Sequence, residues 1–182
     1  MTLLLVSGRP GAGKTPFGKW LEENRGFTHI ETDKDAGLAT LNALLGGFQG
    51  PGGAAEVRAK ARALGEKVVI EWGFMIEDFG WVRQLQAAGF DAWWLDGDEQ
   101  AARQGYINKT GGGPAAMKAY WNQVKAIEAA RPALERFYGN NIVCTVTSGT
   151  RRTQLSPLCR GCLQNASRRR RGLIDPRGDP LP

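Results

Sequence analysis

The stretch Gly8-Arg9-Pro10-Gly11-Ala12-Gly13-Lys14-Thr15 follows the apolar run Leu3-Leu4-Leu5-Val6 and leads into a segment with helical patterning. It matches G-x-x-x-x-G-K-[ST] in full, and each residue type has a physical reason. Glycines let backbone N–H groups converge on phosphate oxygens with no side chain in the way. A helix starting here aims its positive end at the same oxygens. Lys14 is long enough to reach β- and γ-phosphates, and the Thr15 hydroxyl suits a Mg²⁺ ion. The whole segment, Gly8, Arg9, Pro10, Gly11, Ala12, Gly13, Lys14 and Thr15, is therefore expected to hold the phosphates of a nucleotide.

Working outward, residues 3–6 read as a buried strand and 14–24 as a helix, with Pro16 in its first turn, where the missing N–H is harmless. Strands are expected at 28–32, 68–70, 92–95 and 142–146. Between them, apolar spacing predicts helices at 35–45, 54–64, 76–88, 99–107 and 115–137, with loops at 46–53 and 109–114. Gly89 is placed to terminate the 76–88 helix, and Asp33 or Asp35 to cap the 35–45 helix. Strands alternating with helices predict an α/β fold, a parallel sheet covered on both faces.

The 182 residues suit one domain and an appendage, and 42% of them are apolar. Residues 1–150 carry 16 Lys plus Arg against 16 Asp plus Glu, while residues 151–182 carry eight Arg against Asp175 and Asp179. The formal charge of +6 thus lies in the tail and says nothing of what the neutral part binds. The expected organisation is a nucleotide-binding domain at 1–150 and a basic, disordered tail at 151–182. The tail run Arg168 to Arg171 would suit a nucleic-acid backbone, although a solvated charge run is the commoner outcome. Cys159 and Cys162 form one CxxC pair, too few ligands for a structural zinc site. No apolar run reaches membrane-span length, and Leu3 to Val6 is too short for a signal peptide; a cytoplasmic location without membrane contact is expected.

In open parallel sheets, ligands gather at the carboxyl ends of the strands. After the second strand stand Glu31, Asp33 and Asp35, and Asp33 could accept a proton from a substrate hydroxyl. After the third comes Glu71, where a carboxylate can complete a Mg²⁺ shell, followed by Trp72 and Phe74, which could stack on a ring or simply fill the core. Arg103, Asn108 and Lys109 precede the glycines at 111–113 and could form a closing lid whose cations balance charge on a moving phosphoryl group. The glycine-rich loop 46–53 could hinge a substrate cap.

With these residues in place, the chain resembles the small P-loop kinases and AAA-type ATP-binding proteins, among them the adenylate kinase-like and polynucleotide kinase-like members. GRPGAGKT at 8–15, ETDKD at 31–35, VVIEWGF at 68–74 and AAGFDAWWLDGDEQAAR at 87–103 carry the resemblance over roughly residues 1–147. It implies a three-layer fold with a five-stranded parallel sheet in the order 2-3-1-4-5, and ATP with Mg²⁺ as phosphoryl donor. It also implies that Asp33 activates an acceptor hydroxyl, and that Arg103 is the lid arginine. Catalytic roles then fall to Lys14, Asp33 and Arg103, cation binding to Thr15 and Glu71, and a further nucleotide contact to Lys109. The expected function is a kinase acting on a hydroxyl of a small molecule or nucleotide. The alternatives are an ATP-dependent switch acting on a protein partner and a 5′-hydroxyl polynucleotide kinase.

Overall fold

In the computed structural model, residues 1–73 and 76–146 are described. Strand β1 (Thr2–Gly8) leads through the glycine-rich loop into helix α1 (Lys14–Arg25), followed by β2 (Thr28–Glu31) and α2 (Asp35–Gly46). Next come α3 (Gly53–Leu64), β3 (Lys67–Glu71), α4 (Phe79–Ala87) and β4 (Asp91–Gly97). Helices α5 (Glu99–Thr110), α6 (Pro114–Ala129) and α7 (Arg131–Tyr138) precede the last strand, β5 (Ile142–Val146). The sheet has the order β2-β3-β1-β4-β5, every pair parallel, as the resemblance implied.

Alternation along β1 explains the layering. Leu3 and Leu5 face a core shared with Leu41 and Leu44 of α2, Val57 of α3, Leu85 of α4 and Leu134 of α7. Leu4 and Val6 face the opposite side, where Leu21 of α1 and Phe27 pack with Val69 and Leu95. A strand covered on both faces must be apolar at successive positions, which is why LLLV marks the centre of the sheet. In register, Leu5 lies between Ile70 of β3 and Ala92 of β4. All five strands therefore end on one edge, and the residues following them share it.

Several element boundaries differ from the sequence reading. The single helix expected at 115–137 is two: α6 ends at Ala129 and α7 begins at Arg131. Pro132 is the cause, since it has no N–H and its ring clashes with the carbonyl four residues earlier. Helix α5 runs on to Thr110, so Lys109 lies in its last turn and the loop shrinks to residues 111–113. The residue flanking α2 is Lys34, in extended conformation and with no side-chain cap, so neither Asp33 nor Asp35 caps that helix. The segment expected to be helical from 76 opens as a 3-10 turn at Ile76–Asp78 before α4. Gly89 behaves as expected: it takes φ 98°, its N–H bonds Gln86 O, and Phe90 N–H bonds Leu85 O. Phe74 and the tail at 151–182, with its CxxC pair and Arg168 to Arg171, lie outside the described residues.

Candidate functional site

The loop from Gly8 to Thr15 wraps the carboxyl end of β1. Its three glycines are there for different reasons. Gly13 flanks α1 in the left-handed region, at φ 84°, with no atom near where a Cβ would stand. Gly11 combines φ 78° with crowding, because a Cβ would lie 1.9 Å from the backbone O of Ala102 in α5. At Gly8 a Cβ would meet Leu95 O at 2.1 Å. The loop is thus clamped between β4 and α5, and Arg9 N–H bonds Leu95 O at 3.0 Å. The amides of Gly13, Lys14 and Thr15 open α1, where helix geometry gives them no intrahelical acceptor. They form a donor cluster at the helix's positive end.

Lys14 folds over this loop, and its Nζ donates to Gly8 O at 3.1 Å and Arg9 O at 3.2 Å. Burial lowers its pKa from the ordinary 10.5; the carboxylates of Glu71 and Asp33 oppose that shift, and the Lys109 charge adds to it. Such an ammonium, held by neutral carbonyls, gains strongly from an incoming phosphate.

Behind the loop lies a buried polar chain. Thr15 Oγ1 donates to Glu71 Oε1 at 2.6 Å, and His29 Nε2 stands 3.2 Å from Glu71 Oε2. Glu71 is only 3% exposed, so its two partners satisfy a carboxylate that would otherwise be very costly to bury. The sequence reading placed Glu71 here but assigned His29 no role. A glycine inside α1 was the available signal: a Cβ on Gly18 would fall 2.2 Å from His29 Nε2. Because the Thr15 hydroxyl proton points to Glu71, its oxygen lone pairs are left for a cation. Two oxygens in this position fit a hard divalent ion completed by phosphates and water.

At the end of β2, Asp33 Oδ2 accepts from Lys109 Nζ at 2.7 Å, both side chains more than half exposed. Burial alone would lower the Lys109 pKa, but the hydrogen bond and charge of Asp33 raise it above 10.5. Helix α5 explains why Lys109 reaches across and Arg103 does not. Ala102, Gly105 and Tyr106 face the loop, and Lys109 continues that stripe at helical spacing. Arg103 lies off the stripe, its guanidinium 5.5 Å from the ring centroid of Trp121 on α6. Asn108 accepts from Gln104 Nε2 on the exposed side of α5.

Arg9 belongs to the loop by its backbone, while its side chain turns away. Its Nε donates to Asp96 Oδ1 at 3.2 Å and its Nη2 to Glu128 Oε1. Arg131 binds the same two carboxylates, which completes a four-residue network between the loop, β4, α6 and α7. Asp96 sits at a register shift between β4 and β5, where a strand commonly re-aims a side chain. Nothing in the sequence signals this network, since Arg9 and its partner Glu128 are 119 residues apart.

No protein-family model matches the chain, and no curated protein matches it significantly. Solved structures do. A gluconokinase from Sinorhizobium meliloti aligns at 18% identity over 92% of each chain, with a TM-score of 0.51. A sugar kinase from a Janibacter species aligns at 19% identity over 90% of this chain and 95% of its own, with a TM-score of 0.55. Shikimate kinase from Acinetobacter baumannii, in complex with shikimate, gives 15% identity, 93% and 95% coverage and a TM-score of 0.52. Sheet order, the glycine loop and these neighbours agree: the chain has the fold of the small P-loop kinases.

Proposed function

We propose that this protein is a kinase that moves the γ-phosphoryl group of ATP to a hydroxyl of a small molecule. The observation that carries the proposal is the meeting of Lys14, Asp33 and Lys109 at one end of the sheet. Lys109 bonds Asp33 at 2.7 Å, and both charges are near enough to act on Lys14. Neighbours named as gluconokinase, sugar kinase and shikimate kinase support a small-molecule acceptor.

In this reading the amides of Gly13, Lys14 and Thr15 hold the phosphates. Lys14 leaves the carbonyls of Gly8 and Arg9 for the β- and γ-oxygens. Asp33 accepts the proton of the acceptor hydroxyl as its oxygen bonds to the γ-phosphorus and the bond to the bridging oxygen breaks, releasing ADP. Thr15 and Glu71 would hold a Mg²⁺ ion, which when bound offsets the phosphate charge. Of the two lid cations, Lys109 is assigned the charge-balancing role, because Arg103 would first have to leave Trp121. That placement of Arg103 also favours a second reading, a slow ATPase whose turnover switches a partner surface.

One experiment separates the two: Mg-ATP turnover by the full chain, with and without a panel of hydroxyl-bearing acceptors. Stimulation by one acceptor with a phosphorylated product is expected. In Asp33→Asn, transfer should fall by about 10²-fold or more while ATP affinity is kept. Turnover equal to wild type in that variant would refute the assigned role.

A further inference from the structure

His29 is the only histidine in the chain, and its side chain is 5% exposed. It faces the same carboxylate that Thr15 binds. A carboxylate oxygen accepts and does not donate, so His29 Nε2 carries the proton and Glu71 is held at both oxygens. The contact is not needed to join the strands: β2 and β3 are already paired from Thr28 against Val68 to Glu31 against Glu71. The fold nevertheless makes room for it. Gly18, three residues beyond Thr15 in α1, gives His29 the space a Cβ would occupy, and glycine inside a helix costs about 1 kcal/mol relative to alanine. Helix stability is given up where the ring must reach the carboxylate.

We propose that His29 is a positioning residue. By fixing the rotation of the Glu71 carboxylate, it orients the Thr15 hydroxyl so that its lone pairs face the cation that accompanies the nucleotide. The inference rests on the reading of Thr15 and Glu71 as that cation's protein ligands. Outer partners of this kind typically change metal affinity by about 10- to 100-fold when removed. Metal-free nucleotide binding, which depends on the loop amides and Lys14, has no part in the effect.

The test measures Mn²⁺ affinity by electron paramagnetic resonance, on the full chain saturated with a non-hydrolysable ATP analogue. His29→Leu fills the space without a donor and should weaken Mn²⁺ binding about 10-fold or more, whereas His29→Gln restores a donor and should stay within about threefold of wild type. Analogue affinity in excess chelator should be equal in all three proteins. Gly18→Ala leaves every polar group in place, pushes the ring off Glu71, and should share the His29→Leu defect. It decides the matter if His29→Leu does not fold. Wild-type Mn²⁺ affinity in His29→Leu or Gly18→Ala would overturn the proposal, as would His29→Gln being as weak as His29→Leu. If wild type itself shows no nucleotide-dependent Mn²⁺ site, the ligand assignment of Thr15 and Glu71 fails, and the positioning role falls with it. The wild-type protein decides that point alone, so the two failures are distinct.

Discussion

Gly11→Ala and Gly13→Ala look alike in sequence and should differ sharply in effect. Both residues have positive φ, 78° and 84°. A non-glycine residue there costs about 1–2 kcal/mol. At Gly13 nothing lies within 4 Å of the added methyl, so that conformational term is the whole cost. At Gly11 the methyl would stand 1.9 Å from Ala102 O, and α5 must retreat by about 1.5 Å to restore ordinary contact. Overpacking of this kind adds about 1–3 kcal/mol, for a total of about 2–5 kcal/mol. At about 2–4 °C per kcal/mol for a chain of this size, Gly11→Ala should lower Tm by roughly 4–20 °C and Gly13→Ala by roughly 2–8 °C. Thermal and urea unfolding of the full chain measure the difference. ATP affinity should fall in both, because Gly13 opens the amide cluster. A Gly11→Ala protein as stable as Gly13→Ala, or more so, would refute the claim that α5 is seated on the loop.

Four further outcomes follow from the site and core. Burial lowers the Lys14 pKa below 10.5, so nucleotide affinity should fall as pH rises through that lowered value and stay flat in Lys14→Arg, whose guanidinium does not titrate; isothermal titration across alkaline pH checks this. Without nucleotide the sign reverses, because the unfolded chain keeps the Lys14 proton longer and stability rises between the lowered value and 10.5. The raised Lys109 pKa acts the other way: its stabilisation is complete below 10.5 and is lost as pH rises through the folded value. The Lys109–Asp33 pair is exposed, so Lys109→Met should cost only about 0–1 kcal/mol of stability in urea unfolding while reducing turnover. Tyr138 OH and Ser7 Oγ are buried without a well-formed hydrogen bond. Tyr138→Phe should therefore be neutral or stabilising by about 1 kcal/mol, measured by the same unfolding curves.

What was legible in the sequence was local. Gly8 to Thr15 carries its chemistry in eight successive residues, and the apolar runs at 3–6 and 68–70 mark strands buried on both faces. The carboxyl-edge rule then leads to Asp33 and Glu71. Pro132 was visible, yet apolar spacing across 115–137 masked the break it makes between α6 and α7. Contacts between distant segments were not legible. Arg9 reads as a loop residue, and only the fold brings Asp96, Glu128 and Arg131 to its side chain. His29 reads as an ordinary strand residue until Gly18 is seen beside it. Arg103 drew notice as the first cation after β4, whereas helical phase decides which cation crosses to Asp33, and it selects Lys109.

That phase also sets how the two halves of the site respond to load. Gly105 of α5 lies so near the loop that a Cβ there would be 2.8 Å from Gly11 O, and Lys109 follows four residues on, about 6 Å along the helix. One rigid element thus touches the phosphate loop by its backbone and Asp33 by a flexible side chain. The two contacts differ greatly in strength. Backbone packed on backbone leaves no slack, and any shift is resisted by close-packed atoms. The Lys109–Asp33 pair is solvent-exposed and worth at most about 1 kcal/mol. The loop side is therefore stiff and the Asp33 side soft. If the proposed transfer takes place here, an incoming hydroxyl would take Asp33 from Lys109 at small cost without disturbing the loop, and the released ammonium would stay tethered within reach of the charge that develops.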